Sequence, residues 1–167
     1  MIFIYNCYGG THSSSLASAV HLKKLPLDRT PTKREIMDTD YFNRLTYRDM
    51  GRIIYRGADE EGNKVYSVGR GTSKVLLPCL KNFINLLHRE CGLNEKIILA
   101  NMTPTVTFPM TVGGFLSRGL GMDSIGVPLL LIGVQQAYRE ILRVVKYTKE
   151  SAKTMNGPVL VLFNNRR

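Results

Sequence analysis

Short apolar runs that alternate with helix-periodic segments constrain the fold of this chain more than any other feature. The chain starts with Ile2–Tyr5, a run rich in β-forming residues, and then turns through Gly9 and Gly10. After the turn, Leu16 and Val20 belong to a set of apolar residues with the spacing of one helix face. The opening segment is therefore predicted to form a strand, a loop and a helix.

The same alternation continues to the end of the chain. Apolar residues three and four apart predict a helix over Leu76–Leu87, with a stop near Gly92, and another around Ala137–Val145. Between and after these helices lie three short apolar runs: Ile97–Ala100, Val127–Ile132 and Val159–Phe163. Short runs of this kind are typical of strands buried on both faces of a sheet, so three buried strands are predicted.

A β-hairpin is predicted near residues 52–68. Two β-forming runs flank an acidic turn in which Gly62 and Asn63 tolerate the positive φ that a hairpin requires. Strands that alternate with helices indicate an α/β fold. We therefore expect a three-layer α/β sandwich with a largely parallel sheet, formed by residues 1–167 as a single domain.

Two segments interrupt this pattern. The first, Asp28–Asp49, is polar, and Thr32 and Glu35 within it are spaced to form a capping box for a short helix. The second runs from Pro104 through the proline- and glycine-containing residues before Arg118 and predicts a long irregular connection. Segments of this second kind often serve as lids or binding loops.

The charge balance limits the classes of partner. The chain has 23 Lys and Arg against 13 Asp and Glu, a net charge of +10, which attracts phosphates, nucleotides or nucleic acid. The basic residues are scattered, so a generally solvated basic surface is the alternative interpretation.

The apolar run Gly126–Val134 is too short to span a membrane, and the N-terminus lacks the basic flank of a signal peptide. We expect no membrane association and a cytoplasmic location.

The cysteines and histidines do not have the spacing of a metal site. No C-x-x-C pair is present, which argues against a disulfide framework and a zinc ribbon, and the histidines lack zinc-ligand spacing. The acidic residues at the hairpin tip are interpreted as solvated. No metal is therefore predicted, and the sequence specifies neither a cofactor nor an oligomeric state.

The loop Cys7–Ser14, CYGGTHSS, has the composition of a phosphate-binding loop. Loops that leave the carboxyl ends of parallel strands line the ligand crevice, and the following helix presents unpaired N–H groups and partial positive charge. It is not a P-loop, because the lysine of that pattern is absent. The alternative is a small core cysteine, a glycine turn and hydroxyl caps. The ligand-binding residues predicted in this loop are Gly9, Gly10, Thr11, Ser13 and Ser14.

Cys7 and His12 are the predicted catalytic residues if the protein is an enzyme, a question that the sequence leaves open. A thiol at a strand end beside a helix N-terminus is placed as a nucleophile, and His12 is near enough in sequence to act as acid or base. The backbone N–H groups of the loop would then stabilise the developing negative charge.

Two further segments carry candidate ligand contacts. Gly69–Ser73 repeats the arrangement of strand end, glycine turn and hydroxyl-bearing helix start, and predicts contacts from Arg70 and Thr72. Arg118 would reach the same anion from the irregular connection. The alternatives are a plain strand-to-helix turn and a surface arginine.

Three motifs, CYGGTHSS, GADEEGNKVYSVGRG and GGFLSRGLGM, together resemble an uncharacterised bacterial family, domain-of-unknown-function family 3189. The resemblance implies no known activity, but it makes the chain one family unit and favours these glycine-containing segments as a shared site. Over the first strand, loop and helix, Cys7-x-x-Gly10-x-x-Ser13-Ser14 is also similar to the phosphocysteine loop of sugar-phosphotransferase-system subunits. In those subunits a cysteine after the first strand carries phosphate. Low-molecular-weight tyrosine phosphatases have a similarly placed Cys-x-five-Arg loop, but Ser13 occupies its arginine position here.

These features predict a protein that binds a phosphorylated small molecule or nucleotide at its glycine-containing strand-to-helix loops. Phosphoryl transfer or hydrolysis through Cys7 is the reaction class that they indicate for an enzyme. The alternative is a non-catalytic regulatory or nucleic-acid-binding module that uses the basic surface, whose binding would weaken steeply with salt.

Overall fold

Five strands form one sheet in the computed structural model, which describes residues 1–163. The strands are β1 (Ile2–Cys7), β2 (Ile54–Ala58), β3 (Lys64–Gly69), β4 (Ile97–Asn101) and β5 (Val159–Leu162). Their order in the sheet is β2-β3-β1-β4-β5. β1 pairs in parallel with β3 and β4, β4 pairs in parallel with β5, and only β2 runs antiparallel to its neighbour. The predicted α/β fold with a largely parallel sheet is confirmed.

Helices cover both faces of this sheet. They are α1 (Ser13–His21), α2 (Lys33–Met37), α3 (Leu76–Cys91), α4 (Phe108–Gly114) and α5 (Asp123–Thr154). Alternate residues of β1 point to opposite faces: Phe3, Tyr5 and Cys7 pack in the core with α1 and α5, while Ile4 packs in the core with α3. The arrangement is the expected three-layer sandwich.

The β-hairpin predicted near residues 52–68 is formed by β2 and β3. Its turn is closed by Asp59 and Asn63, whose backbones bond at 2.9 Å, and Gly62 supplies the positive φ of 76°. The predicted helix stop also holds, because Gly92 adopts the left-handed conformation directly after α3. Thr32 and Glu35 form the predicted capping box at the start of α2.

The strand predicted at Val127–Ile132 is wrong, because these residues lie inside the 32-residue helix α5. α4 packs so closely along this part of α5 that a Cβ on Gly133 would lie 2.6 Å from the N atom of Met110. Apolar residues also occupy exposed positions of this part of α5, such as Ile132, so the run lacks the stripe that marks a helix and resembles a buried strand. The sequence also suggests a third ligand loop at Gly133, before Gln135 and Gln136, and that interpretation is wrong for the same reason, because these residues lie within α5.

The segment predicted to be irregular is largely helical. It contains a short 3₁₀ turn at Thr103–Thr105, then α4, then a π-helical turn at Phe115–Gly119 that leads to α5. Across residues 1–163, no helix combines the length and apolar character that crossing a membrane requires.

Candidate functional site

A cleft of about 310 Å³ opens beyond the carboxyl end of β1. β1 is the central strand, and the chain continues to β3 on one side of it and later to β4 on the other. The loops at such a reversal point diverge, which leaves room for a ligand. We call this cavity the α1 cleft. It is lined by Cys7, Tyr8, Gly9, Thr11, His12, Ser13, Leu45, Thr46, Tyr47, Met50, Val106, Met110, Thr111, Gly114, Phe115 and Arg118.

The loop between β1 and α1 is pressed against the loop that follows β3. Gly10 has a φ of +72°, and a Cβ there would lie 2.7 Å from the N atom of Gly69. Conversely, a Cβ on Gly69 would lie 2.7 Å from the carbonyl carbon of Gly9. The N–H groups of Arg70 and Gly71 donate to the carbonyls of Cys7 and Tyr8, each at 2.9 Å. The two glycine-containing loops therefore run side by side, and their convergence on one ligand stays a prediction.

Hydrogen bonding in the β1–α1 loop separates carbonyls from N–H groups. The carbonyls of residues 7, 8, 10, 11 and 12 all accept hydrogen bonds from protein donors. Within residues 1–163, by contrast, the N–H groups of Gly9, Thr11, His12, Ser13 and Ser14 donate to no protein acceptor. These five N–H groups are therefore available to donate hydrogen bonds to a ligand.

Ser13 adds a side-chain donor to these backbone donors. It lines the α1 cleft and is fully buried, and its Oγ has no hydrogen-bond partner among the described residues. Buried hydroxyls are normally paired, because leaving one unsatisfied costs roughly 1 to 3 kcal/mol. An unpaired hydroxyl in the first turn of α1 therefore indicates a ligand contact.

Cys7 lies at the base of the loop and is 4% exposed. Its Sγ accepts the N–H of Gly10 at 3.2 Å and shares a hydrogen bond of 3.1 Å with the hydroxyl of Ser14. Because Ser14 is in the first turn of α1, the sulfur faces the start of that helix. The predicted nucleophile thus lies in the cleft, and its catalytic role stays a prediction.

His12 is fixed by a chain of hydrogen bonds that ends at α5. Its Nε2 lies 3.1 Å from Asn43 Oδ1, Asn43 Nδ2 donates to Ser117 Oγ at 2.9 Å, and Ser117 donates to Asp123. This order makes Asn43 Oδ1 an acceptor, so the assigned tautomer of His12 carries its proton on Nε2. Its Nδ1 is then left as an acceptor.

The environment of His12 keeps the imidazole neutral. Burial lowers its pKa, the hydrogen bond to Asn43 partly opposes this effect, and the positive charge of Arg118 lowers it further, to about 4. A neutral imidazole with an unprotonated Nδ1 can accept a proton but has none to give at that atom. His12 is therefore neutral near pH 7 with Nδ1 as an acceptor, and its catalytic role stays a prediction.

Two further predicted ligand-binding residues, Arg118 and Thr11, line the cleft, but their side chains are bonded in different ways. Arg118 lines the cleft and pairs with Asp123 at 3.1 Å. Thr11 also lines it, but its hydroxyl is used to hold the segment after α2: it donates to Tyr41 and accepts the N–H of Arg44. Thr11 therefore shapes one wall of the cleft.

Arg70 and Thr72 are not among the residues that line the α1 cleft. Arg70 turns towards the end of β4, where its Nη2 donates to Thr103 at 3.2 Å, and Thr72 is exposed. The structure brings their backbones beside the β1–α1 loop but does not bring these side chains into the cleft. Their contact with a ligand stays a prediction.

Arg56 is a component of the site that the sequence did not reveal. It is 7% exposed, and its guanidinium donates to Gly10 O, Ser15 Oγ, Ser67 Oγ and Asp40 O at 2.7 to 3.1 Å. All four acceptors are neutral, and within residues 1–163 Arg56 has no carboxylate partner. Burial accordingly lowers its pKa, although an arginine stays charged. A buried positive charge therefore lies directly behind the β1–α1 loop.

A second buried polar cluster lies away from the α1 cleft. Tyr5 OH bonds to His21 Nδ1 at 2.8 Å, and His21 Nε2 bonds to Asp59 at 3.0 Å. Burial lowers the pKa of His21. For Asp59, burial raises the pKa, but the hydrogen bonds from His21, Asn63 and Glu61 outweigh it and lower the pKa to about 2. The expectation that the hairpin tip is solvated is thus wrong for Asp59.

In the described part of the chain, no group of three or more His, Cys, Asp or Glu side chains is arranged to hold a metal ion.

Neither a curated protein nor a solved structure matches the chain. Residues 2–150 match the profile of a family described as protein of unknown function (DUF3189). This match covers most of the 167 residues and agrees with the resemblance carried by the three glycine-containing motifs. The chain therefore belongs to the DUF3189 family.

Proposed function

We propose that the protein binds a phosphorylated small molecule or nucleotide in the α1 cleft, with the phosphate against the β1–α1 loop. The observation that carries the proposal is the division of hydrogen bonding in that loop, where the carbonyls of residues 7, 8, 10, 11 and 12 are paired while five N–H groups and the Ser13 hydroxyl are not. A surface of unused donors binds anions, since an anion supplies only acceptors.

The charges around the loop support the same ligand class. The N-terminus of a helix carries roughly half a positive charge, and α1 begins at this loop. Arg56 adds a buried positive charge behind the loop, and Arg118 adds one at the wall of the cleft. Among the described residues no acidic side chain lines the cleft itself, although Asp123, outside the lining, pairs with Arg118 and partly offsets its charge.

The proposal extends to phosphoryl transfer or hydrolysis through Cys7. In that reaction the thiol gives its proton to His12 Nδ1 as the sulfur forms a bond to phosphorus, the bond to the leaving oxygen breaks, and the leaving oxygen takes up that proton. Water or an acceptor hydroxyl then displaces the sulfur from phosphorus and returns a proton to the thiol. The position of Sγ beside Gly10 N and Ser14 Oγ supports this role, as does the unprotonated Nδ1 of the assigned His12 tautomer. We take the protein to act in the bacterial cytoplasm, where thiols stay reduced; the three cysteines are all unpaired.

The test is a thermal-shift and calorimetric titration of the full chain with inorganic phosphate, against chloride at equal ionic strength. Ser13→Ala should weaken phosphate binding by about tenfold or more, because a hydrogen bond to a charged group contributes roughly 1.5 to 3 kcal/mol. Without phosphate, Ser13→Ala should be no less stable than wild type, since the hydroxyl that it removes has no partner.

Two matched variants serve as controls. Ser18→Ala removes another buried hydroxyl of α1, one that bonds to the Ser14 carbonyl and does not line the cleft. Arg118→Met should weaken phosphate binding, whereas Arg89→Met, which removes an exposed arginine of α3, should not. A wild-type protein without saturable phosphate binding would overturn the proposal. Salt-sensitive binding of an RNA or DNA oligonucleotide that ignores Ser13→Ala would favour the nucleic-acid-binding alternative.

A further inference from the structure

We infer that the ligand of the α1 cleft is a phosphate monoester that carries one flat aromatic ring. This inference rests on the proposed function and adds the class of ligand. Its basis is the contrast between the two parts of the cleft: the floor, formed by the β1–α1 loop, is polar, whereas the walls are mainly apolar.

The walls bring together aromatic side chains from three separate segments. Tyr8 follows β1, Tyr47 lies in the segment before β2, and Phe115 begins the π-helical turn after α4. They are 48%, 61% and 58% exposed, so each presents much of its ring to solvent. Exposed aromatic residues that cluster around a cleft mark a surface suited to an apolar or aromatic partner.

The size and charge of the cleft limit the ligand to one phosphate. Its volume of about 310 Å³ is at the small end of ligand sites, which span roughly 300 to 1,000 Å³. Arg118 is the one cationic side chain among the described residues that line it, and no lysine does. Because Asp123 partly offsets Arg118, the start of α1 and the buried Arg56 supply most of the positive charge, which suits a single phosphate monoester of about −1.5 to −2 charge. A triphosphate would bring far more negative charge than these groups offset.

The walls offer few free polar groups by which a sugar could be recognised, so the ring is the part of the ligand that they would contact. Among the described residues that line the cleft there is no Asp, Glu, Asn or Gln. The wall hydroxyls are those of Tyr8, Thr11, Thr46, Tyr47 and Thr111, and those of Thr11 and Thr46 already bond to other residues. Sites for polar ligands fix their orientation with precisely placed donors and acceptors. The walls instead offer faces on which a ring can stack.

The experiment is a calorimetric titration of the full chain with inorganic phosphate, phenyl phosphate, ribose 5-phosphate, AMP and ATP. Stacking of one ring on aromatic side chains should make phenyl phosphate or AMP bind about tenfold more tightly than inorganic phosphate and ribose 5-phosphate. ATP should bind no more tightly than AMP. Comparison of phenyl phosphate with AMP then tells whether a simple aryl group or a nucleobase is preferred.

Phe115→Ala and Tyr47→Ala should abolish the gain from the ring and leave the affinity for inorganic phosphate within about twofold. Both side chains are more than half exposed, so the variants should fold. Phe108→Ala is the matched control, because Phe108 is 80% exposed and does not line the cleft.

The outcomes separate the two proposals. If inorganic phosphate binds but phenyl phosphate and AMP bind no more tightly, the aromatic-ligand inference is overturned while the proposed function stands. Preference for ribose 5-phosphate, or for ATP over AMP, overturns it as well. If none of the five compounds binds, the proposed function fails too.

Discussion

The contact between Gly10 and Gly69 predicts that alanine is far less tolerated at Gly10 than its backbone angle alone would suggest. Gly10 has a φ of +72° and Gly62, at the hairpin turn, has a φ of +76°. Around Gly62, a Cβ would meet no atom within 4 Å, whereas at Gly10 it would lie 2.7 Å from a backbone nitrogen. The two substitutions therefore share the backbone strain and differ in the steric contact.

The expected free energies follow from these two contributions. An alanine in the left-handed conformation costs roughly 1 to 2 kcal/mol, which is all that Gly62→Ala should lose. Gly10→Ala adds overpacking of about 1 to 3 kcal/mol, because two backbones must separate and no flexible side chain can move aside. Gly69→Ala should show the overpacking without the strain, since its Cβ would meet Gly9 at 2.7 Å.

Urea unfolding followed by far-ultraviolet circular dichroism measures these differences, because the chain has no tryptophan to report by fluorescence. Gly10→Ala should lose about 1 to 3 kcal/mol more than Gly62→Ala, equivalent to roughly 2 to 12 °C in Tm for a chain of this length. Phosphate binding should also weaken in Gly10→Ala and not in Gly62→Ala. Equal destabilisation of the two variants would refute the close contact between the loops.

Two further predictions concern chemistry and pH. Iodoacetamide should modify Cys7 more slowly when phosphate is present, while the labelling of the two exposed cysteines stays the same; equal rates with and without phosphate would place the anion elsewhere. The free energy of unfolding should fall as the pH is lowered from about 6.5 to 4. Burial lowers the pKa of His12 to about 4 and also lowers the pKa of His21. In this range the unfolded chain therefore binds protons that the folded chain does not, which favours unfolding. It should fall again from about pH 4 towards 2 as Asp59, whose pKa is lowered to about 2, is protonated. His12→Gln should flatten the first decline in urea titrations across this range, and an unchanged slope would contradict the assignment.

The sequence predicted those parts of the fold that local rules determine. The hairpin turn with Gly62, the capping box at Thr32 and the stop at Gly92 each depend on residues a few positions apart, and all three were confirmed. The strand predicted at Val127–Ile132 was wrong because the start of α5 carries apolar residues on its exposed side as well as on the side packed against α4, which hides the helical period.

The candidate site was predictable only in part for a related reason. The β1–α1 loop is a contiguous segment, so its glycines and hydroxyls are visible in the sequence. Arg56 acts through bonds to Gly10 and Ser15, which lie far away along the chain, and the sequence shows it only as one of several scattered basic residues. The apolar residues directly before Arg56, Ile53 to Tyr55, do not alternate with polar ones, so no pattern assigns Arg56 to the covered face on which the structure places it.

Arg56 and Ser13 share a property that links the stability of the protein to its ligand. Each is buried within the first turn of α1 or directly behind it, and each is incompletely paired. The Arg56 guanidinium hydrogen-bonds to neutral acceptors and interacts with the Asp40 carboxylate only at longer range, and the Ser13 hydroxyl has no partner among the described residues. Both conditions destabilise a folded chain in isolation. An anion at the β1–α1 loop would offset both at once, since it supplies negative charge near the guanidinium and an acceptor for the hydroxyl. Groups that lower the stability of the folded chain are expected to cluster where a site is organised for binding. Here the Arg56 guanidinium and the Ser13 hydroxyl both lie at the start of α1.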